Sequence, residues 1–175
     1  MSNQEPAKPS RKRRWLSIAA ELLVFAALFL GVRAYTGRHV AKGLAPALEG
    51  LTPQGQILSL AQMRGEPVLV HFWASWCSVC KLEQGSIDSI AKGRDAQVLT
   101  VASGSGDAAK VAAYMKSEGL SFPTLVDEDG ALAEAFGVKS FPTTLVVGPD
   151  GTVRFSEVGY TTRPGMLARL WWAGR

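Results

Sequence analysis

A chain of 175 residues, 47% of them hydrophobic, has room for one ordinary globular domain with a sizeable core and is too apolar to read as disordered. Its net charge of +4 does not mark a nucleic-acid binder: Lys8, Arg11, Lys12, Arg13 and Arg14 against Glu5 supply all of it, and the remaining 14 Lys/Arg and 14 Asp/Glu cancel. Two cysteines separated by two residues, Cys77 and Cys80, exclude a disulfide framework, and with only His39 and His71 beside them they leave a zinc site short of ligands.

Residues 1–14 are polar and basic, carry Pro6 and Pro9, and read as a disordered cytoplasmic tail. Residues 15–32 are apolar apart from Ser17 and Glu21, and as a helix they would measure about 27 Å, one bilayer core. The basic cluster in front favours a cytoplasmic N-terminus. Residues 15–35 therefore read as a transmembrane signal anchor with the rest of the chain on the far side. Glu21 is the awkward residue, costing about 2.5–3.5 kcal/mol at mid-membrane and less toward an end. A cleaved secretory signal is the competing reading, with small residues flanking Arg33 at Val32 and Ala34. The length of the apolar run favours the anchor, and both readings export the domain.

Residues 36–53 read as linker and lead-in, broken by Gly43, Pro46 and Gly50. Beyond them, short β-rich runs alternate with amphipathic stretches, the pattern of an α/β domain over residues 54–175. A short strand is expected at 57–60, and 67–73 (PVLVHFW) reads as a central strand buried on both faces. A helix follows over about 77–91, then a strand at 97–102 and a helix over about 107–118 capped by Asp107. A strand at 122–127 turns at Asp129-Gly130 into a short helix ending at Gly137. Residues 143–147 and 153–158 form a hairpin around Pro149-Asp150-Gly151, and Pro164 opens a last helix through residue 172.

The run Phe72-Trp73-Ala74-Ser75-Trp76-Cys77-Ser78-Val79-Cys80-Lys81 joins the buried strand to a helix. Lys81 stands where a c-type haem attachment would need histidine. A helix N-terminus presents unpaired N–H groups and the positive end of the dipole, which stabilise a thiolate on the first cysteine. Cys77 is thus the expected nucleophile. Cys80, three residues along the same turn and more buried, attacks the mixed disulfide and is the resolving thiol. No metal and no cofactor are expected; two unrelated buried cysteines are the plainer alternative, which the isolated C-x-x-C behind a strand and a Trp disfavours.

The lead-in Gly65-Glu66-Pro67-Val68-Leu69-Val70, the block FWASWCSVC, the run FPTLVDEDGALAEAFGV and Phe141-Pro142-Thr143-Thr144 together resemble the thioredoxin superfamily, and within it the membrane-tethered TlpA, ResA and DsbE branch, over residues 44–172. Ser78-Val79 and the signal-anchor arrangement are also similar to the ScsD proteins tied to copper tolerance. The resemblance implies a thioredoxin fold, a central mixed β-sheet flanked by helices, with an added helix and strand before the proline hairpin. It also implies substrate contacts at Trp76, Phe141 and Pro142. Base rates for X-Pro bonds predict a trans peptide before Pro142; the resemblance implies a cis one facing the cysteines, leaving the Phe141 backbone to pair with an extended substrate. A plain strand-start proline is the other reading.

His71 stands six residues before Cys77, where thioredoxin carries a buried carboxylate. With an ordinary pKa of about 6.5 it is a candidate proton relay to the resolving cysteine, although a core histidine with one hydrogen bond is the simpler and preferred reading. Glu83 matches a frequent acidic position of the branch or simply faces water. Neither residue between the cysteines is proline, and Gly85 replaces a common kinking proline, so no redox potential carries over from relatives.

The function these features imply is an extracytoplasmic thiol-disulfide oxidoreductase of the bacterial inner membrane, reducing or exchanging disulfides of exported proteins. A Cu(I) carrier using the same two thiolates is the alternative, against which stands the lack of any histidine after His71. A mere docking protein would not need the intact cysteine pair. Residues 15–32 hold no cysteine through which reducing equivalents cross, so a reductase here needs a membrane electron donor of the DsbD or CcdA kind. No nucleic-acid partner is expected.

Overall fold

The computed structural model describes residues 11–93 and 96–175, which fall into two units divided between Arg38 and His39. Helix α1 (Arg11–Thr36) makes up the first. Its side chains Leu22, Leu23, Phe25, Leu28, Phe29 and Leu30 are all exposed, and by length and composition Ile18–His39 is apolar enough to cross a membrane. The described helix already includes residues 11–14, ahead of the expected anchor, in keeping with the helix propensity of Arg and Lys. Residues 11–14 of the expected disordered tail are therefore helical, and residues 1–10 lie outside the described residues.

The second unit contains strands β1 (Gly43–Leu44), β2 (Glu49–Leu51), β3 (Ile57–Ser59), β4 (Val68–Trp73), β5 (Gln97–Ser103), β6 (Thr124–Asp127), β7 (Thr143–Val147) and β8 (Thr152–Val158). Helices α2 (Ser78–Gly93), α3 (Ala108–Ser117), α4 (Ala131–Ala135) and α5 (Arg163–Ala173) complete it. Six strands form one sheet in the order β1-β8-β7-β4-β5-β6, and β2 pairs with β3 separately. The β4, β5 and β6 strands run parallel; β7 is antiparallel to β4, β8 to β7 and β1 to β8.

β4 is the middle of the sheet because every one of its residues is buried. Side chains alternate across a strand, so Leu69 and Trp73 join the cluster formed with Ile87 of α2, Val111 of α3 and Leu170 of α5. Val68, Val70 and Phe72 point the other way, into a cluster with Phe136 after α4. Each such side chain contributes about 1.5–3 kcal/mol over its exposed state. His71, in step with Leu69 and Trp73, is delivered to the α2 side.

Residues 36–53 are not the linker their glycines and proline suggest. β1 closes the sheet edge against β8, β2 pairs with β3, and Val40 and Leu48 are buried. Strands of two and three residues are too short to show an alternating pattern. The domain begins at His39, with the Ala41 N–H donating to the Phe136 carbonyl at 2.9 Å. Gly137, at φ +65°, lies so close to the His39 carbonyl that a Cβ there would overlap it.

The caps follow the sequence. Asp107 accepts from the Lys110 N–H at 2.8 Å at the start of α3, and Pro164 sits in the first turn of α5 behind the Thr162 cap. Gly85 lies exposed in the middle of α2, and a methyl group there would meet nothing within 4 Å. Gly85→Ala is therefore expected to raise the unfolding free energy by about 0.5–1 kcal/mol, read from urea denaturation with an unchanged m-value. A lower midpoint would show that this helix needs the glycine.

Candidate active site

Cys77 and Cys80 form a disulfide with their Cα atoms 5.3 Å apart. They lie beyond the C-terminal end of β4, Cys77 at the end of a tied-down loop and Cys80 in the first turn of α2. The Cys77 N–H donates to the Ala74 carbonyl at 3.1 Å, the Ser75 N–H to Ser105 Oγ at 2.9 Å, and Trp76 Nε1 to the Gly104 carbonyl at 3.0 Å. The cysteine loop is thereby clipped to the loop following β5.

Cys77 immediately precedes α2, and its carbonyl accepts the Lys81 N–H at 3.4 Å. It holds the N-cap position. Its Sγ accepts the Cys80 N–H at 3.2 Å, where a Ser or Asp cap would place an oxygen. A fixed donor and the positive end of a 16-residue helix both favour negative charge on this sulfur once the disulfide opens. Cys77 retains 7% of its surface, whereas Cys80 has none, so Cys77 is the more accessible of the two.

Two aromatic side chains stand beside the pair. Trp76 is 68% exposed, and its ring meets Phe141 edge-on with centroids 5.9 Å apart. A groove lined by Ser103, Gly104, Gly137, Lys139 and Phe141 runs beside them. The Phe141–Pro142 peptide is cis. Pro142 itself is buried, and its carbonyl accepts the Gly159 N–H at 2.8 Å. Trp76 and Phe141 thus stand together at the surface, while the Pro142 ring lies beneath it.

His71 is completely buried. Its Nδ1 lies 3.0 Å from Oγ1 of Thr144, its register partner on β7, and 3.6 Å from Glu83 Oε1. Burial pushes its pKa down to about 3, so the ring is neutral at physiological pH. Glu83 does not face water. It is fully buried, with Oε2 accepting the Thr161 N–H at 2.8 Å. Burial raises its pKa to about 7, against the opposing pull of that hydrogen bond. His71 Nε2 and Glu83 Oε1 have no hydrogen-bond partner among the described residues. Two adjacent buried groups, one neutral and one poised near neutrality, can hold and release a single proton.

Glu83 is the residue that motif matching undervalued, although its signal was present. The buried positions of α2 are Cys80, Glu83, Gln84, Ile87, Asp88 and Ile90, a helical stripe on which Glu83 follows Cys80 by one turn. A carboxyl on that stripe is inside. Among the described residues, no group of three or more His, Cys, Asp and Glu side chains is spaced to hold a metal ion.

Residues 42–156 match the model of the AhpC/TSA family. The chain is 32% identical over 130 residues to the thioredoxin-like protein YneN of Bacillus subtilis (strain 168), covering 72% of this chain and 76% of that one. It is 28% identical over 151 residues to the thiol-disulfide oxidoreductase ResA of the same organism, covering 82% and 84%. Among solved structures it is similar to the pneumococcal exposed lipoprotein thioredoxin Etrx1 of Streptococcus pneumoniae strain TIGR4. That match has a TM-score of 0.64 and 33% identity over 73% of this chain and 99% of the other. The mixed sheet with its flanking helices is the thioredoxin fold.

Proposed function

The chain belongs to the AhpC/TSA family and is a thiol-disulfide oxidoreductase of the ResA/DsbE kind, and from that premise we propose that it reduces or exchanges disulfides of exported proteins on the far side of a bacterial inner membrane. The observation that carries the assignment of roles is the N-cap position of Cys77, with the Cys80 N–H on its sulfur.

In the reducing direction the Cys77 thiolate attacks one sulfur of a substrate disulfide, and the other substrate sulfur leaves and takes up a proton. Cys77 is then joined to the substrate. Cys80 gives its proton to the Glu83 carboxylate, one turn away on the same buried stripe, with about 5–6 Å between their Cβ atoms. The Cys80 thiolate attacks the Cys77 sulfur and releases the substrate's second thiolate. Two electrons pass to the substrate, which ends as a dithiol, and the Cys77–Cys80 bond described above is restored. Trp76 and Phe141 border the position of the substrate strand, with the Phe141 backbone beside cis-Pro142 as its pairing edge. His71 touches no sulfur in this scheme; it is a positioning residue that shares the buried site with Glu83.

The anchor reading, with residues 1–14 in the cytoplasm and 15–35 spanning the membrane, is supported by the apolar helix and the basic residues before it. The structural relative Etrx1 is by its name an exposed lipoprotein, in keeping with this reading. Re-reduction then falls to a membrane donor of the DsbD or CcdA kind. In cells lacking such a donor, thiol trapping should find the pair as the disulfide, and in wild-type cells largely reduced. A pair mostly oxidised in both would make the protein an oxidase or isomerase, and tight Cu(I) binding without insulin-disulfide turnover would make it a copper carrier.

A further inference from the structure

We propose that Thr144 is a positioning residue of the resolving step: the Nδ1–H of His71 donates to its hydroxyl and is so kept off the Glu83 carboxylate, which stays free to receive the Cys80 proton. This rests on the role given to Glu83 above and adds the device that keeps it receptive. Strand register lays a row of polar side chains across the sheet. Glu157 of β8, Thr144 of β7, His71 of β4, Thr100 of β5 and Thr124 of β6 are successive Cα partners, and side chains of register partners point to one face.

Buried polar groups in such a row have to share out their protons. Thr124 donates to the Phe122 carbonyl at 3.2 Å, so the 2.8 Å contact between the two threonines uses the Thr100 proton. Thr100 in turn accepts from Trp73 Nε1 at 3.1 Å. Its proton is committed, and His71 is held from the other side. There the buried Thr144 places Oγ1 3.0 Å from His71 Nδ1, while Glu83 Oε1 lies 3.6 Å from the same nitrogen, outside hydrogen-bond range. Nε2 has no partner among the described residues. Two oxygens beside one nitrogen and no partner at the other put the proton of the neutral ring on Nδ1. The nearer oxygen takes the hydrogen bond.

The consequence falls on Glu83. A donor aimed at a carboxylate favours the charged form and makes it a weaker base. With the ring held to Thr144, Oε1 is left without a donor among the described residues, and Oε2 has the Thr161 N–H. Glu83 thereby keeps the raised proton affinity that burial gives it. Around it, β4 contributes His71, the loop before α5 that N–H, and its own helix Cys80 one turn earlier. On β8 and α5 the charged side chains Glu157 and Arg169 are bonded to each other at 2.8 Å.

The test uses the reduced full chain and Ellman's reagent, whose first released thiolate reports attack by Cys77 and whose second reports attack by Cys80. The pH profile of the second phase is expected to bend near 7 in the wild type. Thr144→Val keeps the shape of the side chain and a strand's preference but loses the hydroxyl, freeing the Nδ1–H to close on Glu83. Its bend should fall by about one pH unit, a tenfold loss of proton affinity, and the rate above the bend by about threefold, as for a weaker base. Thr144→Ala should shift the same way, and Thr144→Ser should keep the wild-type bend. In a His71→Leu background, with no ring N–H to divert, Thr144→Val should move nothing. With only two histidines in the chain, ring nitrogen shifts in NMR read the His71 tautomer directly. A proton on Nε2 overturns the inference, as does an unmoved bend in Thr144→Val or a shift that persists beside His71→Leu. A bend that survives Glu83→Gln is a different failure: it overturns Glu83 as the proton acceptor, and this inference with it.

Discussion

Cys77→Ser is expected to abolish disulfide reduction, by at least about 10³-fold, because a hydroxyl at the N-cap cannot supply the thiolate that begins the exchange. Cys80→Ser is expected to stop turnover at a different point. Its Cys77 still has the helix terminus and the backbone donor of residue 80, so it attacks, and with no resolving sulfur the mixed disulfide persists. Non-reducing gels of the two variants incubated with a disulfide-containing substrate read the difference directly. Adducts should accumulate with Cys80→Ser and be absent with Cys77→Ser. The same asymmetry should appear in the reduced wild-type protein, where Cys77 reacts with an alkylating reagent faster than the fully buried Cys80. Adducts recovered only from the Cys77 variant would reverse the roles assigned to the two sulfurs.

Much of this site was legible in the sequence because it depends on periods. β4 reads as a buried strand from its unbroken apolar run, and its period of two places His71 on the same side as Leu69 and Trp73. The C-x-x-C follows it at the start of a helix, so the cap geometry of Cys77 is predictable before any coordinate is known. What escaped depends on long-range pairing. β1 and β2 take their strand character from β8 and β3, partners more than a hundred residues away in the first case, and nothing local announces them. The burial of Glu83 needed two facts at once: the α2 stripe, visible in the sequence, and the Thr161 N–H that receives the carboxylate from the loop before α5. The cis bond before Pro142 came from family resemblance, since an X-Pro pair alone favours trans.

Glu83→Gln is expected to slow the resolving step by about 10²-fold and to remove from its pH profile the inflection near 7 where the carboxyl titrates. His71→Asn should move that inflection without abolishing it, since His71 is Glu83's neighbour at 3.6 Å and not the proton acceptor. Stability supplies the second readout. Glu83 has its pKa raised from 4.5 to about 7, so between those values the folded chain holds a proton that the unfolded chain has lost, and stability falls as pH rises, by about 3 kcal/mol in all. His71 has its pKa lowered from 6.5 to about 3. Within that window the unfolded chain holds a proton the folded one lacks, and stability falls as pH drops. From 4.5 to 6.5 the two slopes oppose and cancel, so the oxidised wild-type domain should be nearly level there. Glu83→Gln leaves the histidine slope alone. Urea unfolding of the oxidised variant should therefore show stability rising with pH from 3 to 6.5, and its free energy relative to wild type should improve by about 3 kcal/mol between pH 4 and pH 8. A difference between variant and wild type that does not change with pH would show that Glu83 is not the group holding the proton, and the resolving step would need another acceptor.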